Sequence, residues 1–246
     1  MLTHPAILPH PVEGTLLNVG TVLAGTAVGV LVGARLPAGL QQRVLAGLGL
    51  VTAVIGVDLA LAWRDTSPLY VLGAILLGGL VGEAIGIEER LQRLGDRLQR
   101  RVARARPAGA PGSTVSEAFF TASLLFCVGP LTVVGSFEDG LRHNIEPLAT
   151  KSLLDGFASV ALASTLGAGV AFAAVTVLVV QGALTLGAGL FEDLLTGEAL
   201  DAMTSAGGVL IIGISLKLLD LKDVKVGNFL PALLFAPALV GLVSLF

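Results

Sequence analysis

Long apolar stretches separated by short polar loops dominate the sequence. A membrane-crossing helix takes about 20 mostly apolar residues, and eight stretches approach or exceed that length. The fifth and seventh are short, and only residues 167–169 separate the fifth from the sixth. Fusing those two would give one helix far too long for a bilayer. We therefore predict eight spans, at residues 15–34, 44–63, 69–86, 117–137, 153–166, 170–190, 206–219 and 228–246.

The composition excludes the common soluble classes. Hydrophobic residues make up 54% of the 246 residues and charged residues only 13%, whereas soluble domains carry about 25% charged residues. Helices pair their own backbone polar groups in lipid, and the stretches lack the alternation of a membrane barrel. The net charge of −3 offers no basic surface for nucleic acid. We predict an all-α polytopic membrane bundle forming a single domain over residues 1–246.

The charges of the loops predict the orientation. Segment 87–106 is rich in arginine, and short basic loops stay in the cytoplasm. Placing this segment inside also puts the basic loops at residues 35–43 and 217–225 inside and the acidic loop at residues 192–201 outside. The N-terminus is then outside. The one exception is the loop at residues 137–150, which holds Arg142 together with three acidic residues.

Residues 88–106 are predicted to form a basic amphipathic helix. Leu91, Leu94, Leu98 and Val102 recur at spacings of three and four, which is the period of a helix. Two interpretations stay open: the helix lies on the anionic inner leaflet, or it binds a partner protein. Residues 107–112 follow as a flexible linker, so residues 87–112 form a cytoplasmic insertion.

The first three spans resemble the last three. Five crossings separate the two copies, so the second is inverted, and the basic loop after the first span matches an acidic loop after the sixth. Inverted repeats are typical of secondary transporters and some channels; the alternative is a duplicated scaffold without transport. Repeat one covers residues 15–86 and repeat two residues 170–246. The matched positions are Gly20 with Gly182, Gly56 with Gly213 and Tyr70 with Phe229.

The central helix pair, residues 113–169, carries a second repeat. Residues 117–121 and 155–159 both follow the order acid, small residue, phenylalanine, any residue, hydroxyl. Adjacent spans run in opposite directions, so this pair is inverted too. Gly129-Pro130 interrupts the fourth span. Proline frees a backbone carbonyl, which suits an ion site in a broken helix; an ordinary kink is the alternative.

Polar groups inside the spans are the candidate site, because their burial in lipid is costly. Carboxylates with hydroxyls one turn further on are hard oxygen ligands for an alkali or divalent cation. Two alternatives stay open. Each acid can instead lie in the first turn of its helix, where the helix dipole favours a negative charge. The side-chain amides of Asn18 and Gln181 can instead hydrogen-bond neighbouring helices together. Lys151 lies four residues before Asp155, a spacing that allows an ion pair. The candidate pathway comprises Glu117, Thr121, Ser123, Asp155, Ser159, Thr165, Asp58, Asn18 and Gln181.

Three segments resemble a known family. They are TASLLFCVGPLTVVGSFEDGL from Thr121, KSLLDGFASVALASTLGAG from Lys151 and VGNFLPALL from Val226, and they are similar to the YqgA/YdfK-type family, domain of unknown function 554. The resemblance covers residues 14–242. It implies an integral protein of the bacterial inner membrane, loosely described as a transporter, and no substrate. Residues 155–158 are also similar to the Asp-Ala-Phe-Ala element of manganese exporters in the lysine-exporter superfamily.

The resulting functional hypothesis is a transporter or channel for a small ion, favouring a cation, with its site between the inverted repeats. A non-transporting scaffold that acts through the arginine-rich helix and an exporter of small organic solutes are the alternatives. The chain has no Ser/His/Asp set, phosphate-binding loop or CxxC pair, so we expect neither an enzyme nor a cofactor. Expected partners are the bilayer and the ion or solute, with further copies of the chain left open.

Overall fold

The computed structural model describes residues 12–103, 115–127, 130–191 and 197–244. Within these ranges every regular element is a helix. Short 3-10 turns at Leu61–Asp65, Ala168–Phe172 and Val226–Phe229 extend three of these helices. The predicted linker at residues 107–112 lies outside the described residues. The α-helices are α1 (Glu13–Gly33), α2 (Ala38–Ala60), α3 (Pro68–Ile85), α4 (Ile87–Ala103), α5 (Val115–Cys127), α6 (Pro130–Arg142), α7 (Glu146–Leu166), α8 (Ala173–Phe191), α9 (Glu198–Leu218) and α10 (Ala232–Val243).

Six helices among the described residues are long and apolar enough to cross a membrane, which confirms the all-helical membrane class. They are α1, α2, α3, α8, α9 and α10, some with their 3-10 extensions. The pair α5 and α6, bent by 61° at the break, counts as a seventh if it forms one span. The predicted number of eight therefore depends on α7. That helix has 21 residues but carries Glu146, Lys151 and Asp155.

The helix boundaries differ from the prediction in two places, and one predicted interruption is present. The span 117–137 is interrupted before Pro130, as the sequence indicates, and Pro130 begins a new helix in which its missing amide is tolerated. The predicted span 153–166 already begins at Glu146, where Pro147 again occupies the first turn. The predicted span 206–219 begins at Glu198, and its added turns bury Ala199 and Ala202 against the protein rather than in lipid. The fifth span does end as predicted, at Gly167, whose φ of +82° stops the helix.

Helices α1 and α7 pack backbone to backbone. A Cβ atom added at any of three glycines of α1 would collide with a backbone carbonyl of α7. Small residues four positions apart permit this close approach. The residue numbers of the facing positions increase in the same direction along both helices, so α1 and α7 run parallel. The pairs are Gly25 with Gly156, Gly29 with Val160 and Gly33 with Ser164.

Two other pairs of helices, by contrast, pack antiparallel. In each pair, early residues of one helix face late residues of the other. Each pair joins a helix of the first predicted repeat to its counterpart in the second. The facing positions are Gly49 with Leu219 and Ala60 with Gly208 for α2 and α9, and Gly73 with Leu239 and Gly82 with Asn228 for α3 and α10.

Candidate functional site

A buried ion pair lies in the middle of α7. The ammonium group of Lys151 bonds the carboxylate of Asp155 one helical turn further on. Their side chains are only 7% and 10% exposed. Because α7 runs beside α1, the pair lies at the depth of the membrane-crossing helices. Charges at such a depth are tolerated when they are paired and hydrogen-bonded.

Two amide side chains connect this ion pair to α1 and α8. Asn18 Nδ2 donates to Asp155 Oδ2 at 2.9 Å and to Gln181 Oε1 at 3.0 Å. Both amide side chains are fully buried. The structure therefore brings together three residues that the sequence predicted as parts of one site. We call Asn18, Lys151, Asp155 and Gln181 the polar layer.

The direction of α8 follows from contacts at the start of α1. The backbone amide of Gly14 donates to Asp139 of α6 at 3.3 Å, and the neighbouring Gly140 packs against the backbone carbonyl of Thr185. Thr185 thus lies near the beginning of α1, whereas Gln181 lies beside Asn18. Helices α1 and α8 are therefore antiparallel, as are the other two counterpart pairs.

Hydroxyl groups extend the polar layer on both sides. Thr15 precedes Asn18 by one turn of α1, and Thr185 follows Gln181 by one turn of the antiparallel α8, so both lie on the same side. Ser159 follows Asp155 by one turn of α7 and lies on the opposite side, next to Gly25. Polar atoms are therefore stacked along the helix axes, with the ion pair between them.

Five buried polar atoms in and beside the polar layer have no hydrogen-bond partner among the described residues. Buried polar atoms are nearly always paired, and one that is left unpaired costs about 1–3 kcal/mol. Four of the five are oxygens that can accept hydrogen bonds. This concentration on three adjoining helices makes the polar layer the candidate binding site. The atoms are Thr15 Oγ1, Asn18 Oδ1, Ser159 Oγ, Gln181 Nε2 and Thr185 Oγ1.

The other predicted acids lie elsewhere. Glu117 is exposed in the first turn of α5, and the bonded partners of Asp155 are Lys151 and Asn18 rather than Glu117. Asp58 is exposed on α2. Glu117 thus occupies the helix-terminus position described above as its alternative, whereas Asp155 lies in the interior of α7.

The predicted hydroxyls are divided between the two helices of the central pair. Ser123 of α5 hydrogen-bonds Thr176 of α8 at 2.9 Å, and Thr121 is buried on α5. Thr165 donates to carbonyls within its own helix. Within the described residues, none of these three hydroxyls hydrogen-bonds a side chain of the polar layer, and Ser123 bonds a different residue of α8, Thr176.

Sequence reasoning missed Thr15 and Thr185. The sequence did contain a signal for both. Thr15 lies one helical turn from Asn18 and Thr185 lies one turn from Gln181, so each threonine is on the same helix face as a side-chain amide. It also missed Asp139, whose carboxylate accepts a hydrogen bond from the backbone amide of Gly14 in the first turn of α1. Asp139 comes from a different helix, and nothing in its local sequence indicates this contact.

A cavity of about 400 Å³ borders the ion pair on its other side. It lies among α2, α5, α6, α7 and α9. Lys151, Asp155, Thr52 and Thr132 are its polar lining residues, and the remaining lining side chains are apolar. Asp155 therefore connects two environments, the polar layer and an apolar cavity.

A second polar cluster joins α4 to the turn before α10. Asn228 Oδ1 accepts the backbone amide of Glu88 at 2.7 Å, and Glu88 Oε2 accepts the backbone amide of Gly227 at 2.8 Å. Asn228 Nδ2 also donates to Glu83 at 2.5 Å. Asn228 lies in the VGNFLPALL segment that carries the family resemblance. It holds together the end of α3, the start of α4 and the turn that leads into α10.

We expect Glu88 to make the stability of the protein depend on pH. Burial raises the pKa of the Glu88 carboxyl above 4.5, outweighing the Gly227 amide, the Lys217 charge and Gln92, which lower it. A raised folded-state pKa gives stability that is full at low pH and lost as the pH rises through it. The thermal unfolding midpoint of the purified protein should therefore fall as the pH rises from 4.5, and Glu88→Gln should flatten this profile.

Glu89→Gln is the matched control for that measurement. The hydrogen bond from Lys225 lowers the pKa of Glu89, so its contribution has the opposite sign and is lost as the pH falls. That loss takes place below pH 4.5, so removing the Glu89 carboxylate should leave the decline above pH 4.5 unchanged. Equal profiles for Glu88→Gln and the unaltered protein would contradict the assignment.

Comparisons with known proteins agree with the resemblance noted in the sequence. A family profile described as "Protein of unknown function (DUF554)" matches residues 13–241. The uncharacterized membrane protein YdfK of Bacillus subtilis strain 168 is 29% identical over 235 residues, 95% of this chain and 97% of its own length. The uncharacterized protein YqgA of Escherichia coli strain K12 is 29% identical over 225 residues, 92% and 94% of the two chains. No solved structure matches.

Proposed function

We propose a transport function for this chain, which belongs to the family described as protein of unknown function DUF554. It is a transporter or channel for a small cation, and the polar layer is its binding site. The observation that carries the proposal is a set of five buried polar atoms around Asp155 that have no hydrogen-bond partner in the part of the chain that the structure describes. Burying ionisable and polar groups at membrane depth costs free energy, and such groups mark ion or substrate pathways. A protein with a purely structural role gains nothing from buried polar atoms that lack a hydrogen-bond partner.

The chemistry of the layer favours a cation of low charge. Asp155 is the carboxylate of the layer, and Asn18 Oδ1 with the hydroxyls of Thr15, Ser159 and Thr185 adds neutral oxygens, which are the ligands of hard cations. Gln181 Nε2 is a donor and suits a water molecule of the hydration shell. Lys151 compensates the charge of Asp155 while no cargo is bound.

The packing of α7 supports eight crossings. This helix is more polar than the other candidates, but it is in contact with α1 from Gly25 to Gly33 and runs parallel to it. A helix that accompanies a membrane-crossing helix over this length passes through the same depth. Counting α7 and the bent pair α5–α6 as one crossing each adds two to the six apolar helices and gives the proposed eight crossings. The outside position of the N-terminus in this topology rests on the charges of the loops.

The antiparallel counterpart pairs support the inverted repeat. A twofold axis in the membrane plane turns each helix of the first repeat onto an antiparallel copy, and α1 meets α8, α2 meets α9 and α3 meets α10 in that sense. Asn18 and Gln181, which bond each other, lie on the counterpart helices α1 and α8. The binding site therefore lies between the repeats, the position usual in transporters built this way.

Neutralising Asp155 tests this function. We expect proteoliposomes of the unaltered protein to take up radioactive sodium or rubidium along a gradient, and Asp155→Asn to reduce uptake to that of empty liposomes. The carboxylate is the negative charge that holds the cation, and asparagine keeps the shape and the bond to Asn18. Glu117→Gln is the matched control because it neutralises an exposed carboxylate outside the polar layer, and we expect it to retain uptake.

A folding defect is separated from a transport defect by a second variant. Lys151→Met with Asp155→Asn removes both charges, so no unpaired charge stays buried. This double variant should keep the elution volume and melting behaviour of the unaltered protein and still fail to take up cations. Normal uptake by either Asp155 variant, or no uptake by the unaltered protein with any alkali or alkaline-earth cation, refutes the proposed function.

A further inference from the structure

The cavity beside the ion pair opens toward the hydrocarbon of the bilayer. Its lining includes Val51 and Ile55 on α2 and Leu154 and Phe157 on α7, which are 57%, 47%, 56% and 76% exposed. These apolar residues lie in the middle of their helices. The opening therefore faces lipid rather than either aqueous side.

The deep wall of the cavity is buried. Thr52 of α2 and Ile211 of α9 line it, yet they are only 2% and 3% exposed. A lipid that merely coats the outer surface does not reach these two side chains. Only a molecule that enters between α2 and α7 contacts them.

Water is a poor occupant for this space. A cavity of about 400 Å³ has room for on the order of ten water molecules, each of which needs two to four polar partners. The polar lining is small and largely engaged, since Thr132 donates to the Phe126 carbonyl at 3.1 Å and Lys151 bonds Asp155. An empty cavity, in turn, destabilises a protein in proportion to its volume.

We propose that this cavity is a binding site for one acyl chain of a bilayer phospholipid. The chain enters between α2 and α7, fills the apolar space and ends at the Lys151–Asp155 pair. Its walls are continuous with the lipid-facing surface of α2 and α7, so the chain is supplied by the surrounding bilayer. While the acyl chain is bound, other lipid and water are excluded from the cavity side of the ion pair. The rest of the polar layer then provides the polar contacts of the pair.

Photochemical labelling of the full chain in liposomes tests the site. The probe is a phosphatidylcholine with a diazirine near the end of one acyl chain, and labelled positions are read by mass spectrometry after irradiation. We expect adducts on the deep wall, at Thr52 or Ile211. Adducts at Leu76 and Val179, which are 57% and 62% exposed, report ordinary contact with the bilayer and serve as the internal reference.

A cavity-filling variant sharpens the result. Ala158 lines the cavity, so Ala158→Trp should abolish labelling of the deep wall and leave labelling of Leu76 unchanged. Val175→Trp places the same side chain on an exposed position of α8 and should preserve the deep-wall adducts. If Ala158→Trp does not fold, Ala161→Phe at the neighbouring lining position replaces it.

Three outcomes overturn the proposal. Adducts confined to exposed positions mean that no acyl chain enters. Deep-wall adducts that persist in the folded cavity-filling variant mean that they arise elsewhere. Labelling of the deep wall by a diazirine hydrocarbon without a headgroup, but not by the phospholipid, assigns the cavity to a free apolar solute. None of these readouts depends on cation transport, so this inference and the proposed function stand or fall separately.

Discussion

Lys151→Met should destabilise the protein by about 3–5 kcal/mol, the usual cost of removing one partner of a buried ion pair. The loss arises because the Asp155 carboxylate, which is nearly buried, is left without its counter-charge. Removing both charges, as Lys151→Met with Asp155→Asn, should recover most of the loss, since a buried pair contributes little net stability over neutral residues of similar size. Asparagine keeps an acceptor for the Asn18 amide.

Reversible unfolding of each variant in mixed detergent micelles measures these free energies. The exposed pair Arg142–Glu138, whose side chains are 69% and 23% exposed, is the control, and Arg142→Met should cost about 1 kcal/mol or less. The loss of unfolding free energy in the double variant could instead equal the sum of the losses in its two single variants. That result would mean that the two charges do not depend on each other and that the ion pair is not the centre of the site.

Gly25→Val should separate α1 from α7 and lower stability by about 3 kcal/mol or more, the upper range for overpacking. The added Cβ meets the Gly156 carbonyl, which is backbone and cannot turn aside. Valine at Gly20 is the matched control. No described atom of another helix lies within 4 Å of a Cβ at Gly20, so the same helix receives the same side chain without a collision.

The two glycine variants also separate packing from helix propensity. Valine has the same intrinsic helix propensity at both positions, so the difference between their unfolding free energies reports the contact with α7. Gly25→Val should also lose cation uptake, because Gly25 lies beside Ser159 on one side of the polar layer. Equal stability of Gly20→Val and Gly25→Val would contradict the close backbone contact between α1 and α7 at Gly25.

Local sequence was sufficient for the helices and for several of their ends. Apolar stretches of membrane-crossing length predicted most of the spans, because a helix is the structure that satisfies its own backbone in lipid. Pro130 and Gly167 predicted the break after α5 and the end of α7, because proline lacks an amide hydrogen and glycine tolerates a positive φ. The polar extensions of α7 and α9 were missed because protein contacts, rather than lipid, bury them.

The candidate site was only partly predictable. The cost of placing polar groups at membrane depth selected Asn18, Asp155 and Gln181 from the sequence, and the structure joins all three. The same argument selected Glu117 with equal weight, because residues 117–121 and 155–159 share one local pattern. Nothing within either pentapeptide indicates that one acid is exposed and the other buried.

Only the tertiary structure distinguished the two acids. Asp155 is buried because the glycines of α1 bring that helix against α7, which places Asn18 beside the carboxylate, while Lys151 compensates its charge from the preceding turn. The sequence by itself determined a helical membrane protein and the residue types from which a site must be built. Which of them meet was decided by contacts between residues far apart in the chain, since the cost of a buried charge depends on the partners that packing brings to it.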